Sequence, residues 1–121
     1  MSPTMPVKPD VLVACLCADW CGACREYKSR FEQAQAAFSS ARFLWVDIED
    51  QADWVDPIEV ENFPSILVTV DGEPRFFGTV LPHLETLERL IKAQIDAPTA
   101  PALRDPQVRA LAQRLLAAAE A

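Results

Sequence analysis

The stretch Ala18-Asp19-Trp20-Cys21-Gly22-Ala23-Cys24 stands where an apolar run ends and a helical pattern begins. Two thiols three positions apart on the first turn of a helix share one face and can close a small disulfide ring. Unpaired backbone N–H groups and the positive end of the helix dipole favour a thiolate at the first of them. The spacing therefore predicts a redox pair, with Cys21 the nucleophile and Cys24 the resolving thiol.

Upstream, Val11-Leu12-Val13-Ala14-Cys15-Leu16-Cys17 is a continuous apolar run, short enough for a strand buried on both faces. Pro3, Pro6 and Pro9 make residues 1–10 an extended arm. Downstream, Cys24, Tyr27, Phe31, Ala34 and Phe38 recur at helical spacing and predict a helix to about Phe38. Phe43 to Ile48 reads as a second strand, parallel to the first because a helix crosses between them. Asp56-Pro57 has the form of an N-cap followed by a first-turn proline, which predicts a short helix over Ile58 to Glu61. Ile66–Val70 and Arg75–Thr79 form a hairpin about Asp71-Gly72, with Pro74 suggesting an edge. A helix from Pro82 to about Ile95 carries the stripe Leu84, Leu87, Leu90, Ile91 and Ile95. Residues 96–104 are a proline-broken linker. A last amphipathic helix spans 105–121, with Val108, Leu111, Ala112, Leu115, Leu116 and Ala119 inward and Arg109, Gln113 and Arg114 facing away.

Composition narrows the chemistry. A chain of 121 residues is one domain with room for a core. A net charge of −7 repels phosphate, so neither nucleic acid nor an anionic membrane is the expected partner. The longest apolar run, Val11 to Ala18, is far short of the roughly 20 residues that span a bilayer. With no convincing leader, a cytoplasmic location is expected. All four cysteines fall between positions 15 and 24, which points to local chemistry and not to a secreted disulfide framework.

Trp20-Cys21-Gly22-Ala23-Cys24 and Phe63-Pro64-Ser65, set in this order of elements, resemble the thioredoxin family over residues 11–95. The resemblance implies an α/β, thioredoxin-like fold: a mixed central sheet of about four strands flanked by helices, here with an added C-terminal helix. It implies a protein-disulfide oxidoreductase working through the Cys21/Cys24 dithiol, a cis Pro64 facing the thiols, and a substrate-binding surface of Trp20, Phe63 and Pro64. It implies disulfide-containing protein substrates, a thioredoxin-reductase-like electron donor, a reductant role in cell redox homeostasis, and no cofactor. A monomer or weak dimer is expected.

The chain departs from the family pattern at named positions. Ala23 replaces the proline between the cysteines, Cys17 replaces a tryptophan, and Trp45 stands at the place of a lysine. Cys15 occupies the position of a buried aspartate, so the Cys24 proton is expected to leave through water, another group or a Cys15 thiolate. Only ten residues precede Val11, so the family's first strand and helix are expected to be missing and Phe43–Ile48 is expected at a bare edge. The Asp105 helix is the expected cover, or else a subunit contact.

Several residues have plainer readings. Cys15 and Cys17 point to one face of their strand, and packing explains them better than redox chemistry. His83 reads as a solvated surface residue. Two readings of other classes stand beside the enzyme: a zinc module built on Cys15, Cys17, Cys21 and Cys24, and a non-enzymatic adaptor that binds a partner through its C-terminal helix.

Overall fold

The computed structural model describes residues 10–18, 22–56, 58, 60, 62–97 and 99–120. The sheet is organised around β1 (Val11–Cys17), every residue of which is buried. The run is continuously apolar because β1 is an inner strand covered on both faces. It pairs in parallel with β2 (Arg42–Asp47) and antiparallel with β3 (Ser65–Val70). β3 pairs antiparallel with β4 (Glu73–Thr79), giving the order β2-β1-β3-β4. Asp71 and Gly72 both have positive φ, 53° and 84°, as a tight right-twisted hairpin requires. Pro74 lies on the outer strand β4, beside a register shift between Val68 and Thr69, where its missing N–H does least harm.

Four helices complete the fold: α1 (Gly22–Ala37), α2 (Ala52–Val55), α3 (Leu84–Asp96) and α4 (Pro106–Glu120). Alternation along β1 sorts its side chains onto two faces. Val11, Val13, Cys15 and Cys17 join Cys24, Tyr27, Phe31 and Ala34 of α1 and Leu87 and Ile91 of α3. Leu12, Ala14 and Leu16 join Leu67 and the α4 residues Val108, Leu111, Ala112 and Leu115.

Two expectations are corrected here. The short helix lies upstream of Asp56: Ile58 and Val60 are not helical, while Pro57, Glu59 and Glu61 lie outside the described residues. A residue before proline is pushed to extended backbone, and Asp56, at φ −60° and ψ 137°, closes α2 with its N–H on the Ala52 carbonyl. The second correction concerns α4. β2 is an outer strand as expected, but α4 lies across the sheet face, touching β2, β4 and α2, and does not cover the β2 edge. The second Asp-Pro behaves as read, since Asp105 Oδ1 accepts the N–H groups of Gln107 (2.8 Å) and Val108 (3.4 Å). The polar side of α4 ties down its rim. Arg114 Nε donates to the Trp54 carbonyl at 2.7 Å, and Arg109 donates to the Leu103 carbonyl at 3.2 Å.

Candidate functional site

The alternation that sends Cys15 and Cys17 to the α1 face carries Cys17 to the end of its strand, next to the start of the helix. Cys24 lies on the first turn of α1 with its side chain on the same face. The two meet in a disulfide, Cys17–Cys24, with Cα atoms 5.7 Å apart, a separation ordinary for such a bond. Both cysteines are about 1% exposed. Cys15 is the free thiol of the described cysteines, fully buried, with its Sγ 3.7 Å from that of Cys17. Because Cys17 carries no proton in the disulfide, the Cys15 S–H is the donor in this contact.

Burial pushes the Cys15 pKa far above its ordinary value of 9.0, because an apolar site disfavours the charged thiolate. A Cys15 thiolate is therefore no proton acceptor for Cys24 near neutral pH, which removes one of the three routes expected from the sequence. Tyr27 packs in the same cluster, and its buried hydroxyl has no hydrogen-bond partner among the described residues. Burial raises its pKa first, the charge Cys15 would carry raises it further, and Arg30 opposes both. Trp45 is the register partner of Cys15 and packs edge-on against Phe31, with Lys28 Nζ 5.8 Å from its ring centroid.

The second wall of the site comes from the start of β3. Ser65 stands opposite Leu16, so Pro64 arrives beside the end of β1 that bears Cys17. The Phe63–Pro64 bond is cis. Pro64 is buried and Phe63 half-buried, and the Pro64 carbonyl accepts the Val80 N–H at 3.0 Å. Leu81, 64% exposed, follows Val80 and was not singled out by the sequence reading. His83 is exposed at the N-cap of α3, where its side chain makes no cap hydrogen bond.

Trp20 and Cys21 lie outside the described residues, so the expected nucleophile and its flanking ring have no geometry here. Cys24, Phe63 and Pro64 converge with Cys17 at one end of the sheet. The packing role expected for Cys17 is corrected: it is bonded to Cys24, while Cys15 remains a core thiol. No familiar spacing signals this bond, since the two residues are seven apart, one at a strand end and the other on the first turn of a helix. The zinc reading loses its ligand set in this state, because two of its four sulfurs are joined to each other. Among the described residues, no helix is long and apolar enough to cross a membrane.

A cysteine disulfide between the end of a central strand and the first turn of the next helix, with Pro64 just before the neighbouring strand, is a candidate site for thiol–disulfide exchange. Comparison with known proteins gives the same class. The family profile described as Thioredoxin matches residues 5–93. A thioredoxin of Aspergillus fumigatus is 26% identical over 76 residues, covering 63% of this chain and 70% of that protein. Thioredoxin-1 of Schizosaccharomyces pombe is 31% identical over 78 residues, 64% of this chain and 75% of its own. Several further curated relatives are matched over about half their length. A solved thioredoxin variant from Halobacterium salinarum superposes with a TM-score of 0.62 at 26% identity, covering 71% of this chain and 75% of that one. The chain belongs to the thioredoxin family and is a thiol–disulfide oxidoreductase.

Proposed function

We propose that the protein reduces disulfides in other proteins through Cys21 and Cys24, in the cytoplasm, and is itself recharged by a thioredoxin-reductase-like donor. The observation that carries this reading is the place of Cys24, on the first helical turn and at the end of the sheet beside Pro64, where its sulfur takes part in a disulfide, here with Cys17. In the forward direction a Cys21 thiolate attacks one sulfur of the substrate disulfide. A mixed disulfide forms and the other substrate sulfur leaves with the electron pair. Cys24 then attacks Cys21 Sγ, the second substrate thiolate leaves, and Cys21–Cys24 closes; the Cys24 proton passes to water. The exposed start of α1 favours negative charge at its N-terminal side, which suits Cys21 as the thiolate. Phe63, Pro64 and Trp20 form the substrate surface, with Leu81 as an apolar contact beside Pro64.

The test is turnover on a disulfide-bonded protein substrate with dithiothreitol as donor. Cys21→Ser is expected to lose turnover and to form no mixed disulfide with substrate. Cys24→Ser is expected to lose turnover and, when reduced, freed of dithiothreitol and mixed with substrate, to accumulate one equivalent of a Cys21–substrate adduct. Turnover that survives in Cys21→Ser removes Cys21 from its role, and a wild-type protein that never exchanges with substrate leaves the adaptor reading in its place.

A further inference from the structure

We propose that Cys17 is a third exchanging thiol of this site, so that the oxidised protein exists as two disulfide isomers, Cys21–Cys24 and Cys17–Cys24. The proposal deepens the Cys21/Cys24 reading and rests on it. Three observations support it. The Cys17 and Cys24 α-carbons are 5.7 Å apart, so the two side chains bond with the backbone as it stands. Cys15 holds its thiol 3.7 Å from Cys17 Sγ, which supplies an S–H donor to a sulfur that has become a thiolate. Both contacts lie in the packed layer between β1 and α1, where Cys15, Cys17 and Cys24 are shielded from solvent thiols.

The step is internal and needs no oxidant. Cys17 loses its proton to water, and its thiolate attacks Cys24 Sγ in the Cys21–Cys24 disulfide. The Cys17–Cys24 bond forms, the Cys21–Cys24 bond breaks, and the electron pair leaves on Cys21 Sγ, which takes a proton from solvent. The number of thiols is unchanged. The exchange alters which thiol is free: an oxidised protein in the Cys17–Cys24 form presents Cys21 as a nucleophile again. That nucleophile can open a substrate disulfide, but Cys24 is not available to resolve the adduct. Release then needs a second substrate thiol, which attacks the mixed disulfide and restores Cys21. The substrate has changed its pairing and not its oxidation level, which is disulfide isomerisation. Burial of Cys17 disfavours its thiolate and makes the internal step slow relative to attack by an exposed thiol.

The sequence allows the isomers to be told apart. Cleavage before Asp10, Asp19 and Asp47 yields the segments 10–18, holding Cys15 and Cys17, and 19–46, holding Cys21 and Cys24. The full chain is equilibrated in oxidising dithiothreitol buffer, its free thiols are alkylated, and the digest is read by mass with fragmentation. In wild type we expect both a closed loop within 19–46 and a cross-link between 10–18 and 19–46 that maps to Cys17 and Cys24. In Cys21→Ser we expect the cross-link alone, with one alkylated thiol, Cys15. Wild type with only the loop, together with three alkylated thiols in Cys21→Ser, overturns the proposal, as does a cross-link that maps to Cys15. Cys17→Ala separates this failure from failure of the underlying reading. A loop that still closes there keeps the Cys21/Cys24 pair whatever becomes of Cys17, and four alkylated thiols in wild type with three in Cys17→Ala overturn both.

Discussion

The two faces of the sheet are built from alternate residues of the same strand and do different work. One face of β1 presents Val11, Val13, Cys15 and Cys17 to α1 and α3, among Tyr27, Phe31 and Trp45. The other presents Leu12, Ala14 and Leu16 to α4 and meets aliphatic side chains there. Sulfur chemistry needs thiols that approach one another, and the first face brings Cys17 and Cys24 together at a strand end. The second holds the strand in place. The protein thus separates reactivity from stability by a period of two residues.

The sharpest way to break the comparison is on the aliphatic face. Leu111 of α4 is fully buried against that layer, and Leu111→Ala is expected to cost about 2–5 kcal/mol, read as a lowered midpoint in urea. Its folded fraction should form the same disulfides as wild type. A change of pairing would show that the faces are not independent.

The next effect belongs to the thiol face and depends on pH. The Cys15 pKa is raised in the folded state, so the folded protein holds a proton that the unfolded chain releases above about pH 9. Stability from this group is complete below that pH and falls as pH rises beyond it, by at most about 1.4 kcal/mol per unit. Tyr27 adds to the fall from its ordinary value of 10.0 upward. Urea midpoints measured from pH 7 to 10.5 should decline above 9, and Cys15→Ala should flatten the first part of the decline. A midpoint that rises with pH would contradict the burial argument.

The smallest effect concerns how α4 is held to its face. Asp105 accepts two N–H groups at the start of α4, and Asp105→Ala is expected to cost about 0.5–2 kcal/mol. Asp56 caps no described N–H in this way, so Asp56→Ala should cost less. Equal losses would erase the distinction between the two Asp-Pro pairs.

That distinction explains much of what could be read from the sequence. The strands and long helices were legible because their apolar residues repeat at two or at three and four over a sustained run. Asp105-Pro106 starts a helix because Val108, Leu111, Ala112 and Leu115 follow at helical spacing. After Asp56-Pro57 only Ile58 and Val60 precede Phe63-Pro64, two apart, and no helical face exists to bury. The dipeptide is permissive, and the periodicity decides. The α4 error has a similar cause, since amphipathicity shows that a helix docks but not on which surface. Cys24 and Pro64 were legible from their motifs. The partner of Cys24 was not: a bond between a strand end and a helix turn depends on how the two elements are placed in space, and parity along β1 shows only which way Cys17 points.

The most direct test of the central claim is a redox titration of the full-length protein in dithiothreitol buffers, with free thiols alkylated and counted by mass. The account predicts a reversible change from four free thiols to two, with Cys24 always one of the pair lost and Cys15 always retained. Four thiols at every potential, or a pair that excludes Cys24, would contradict it.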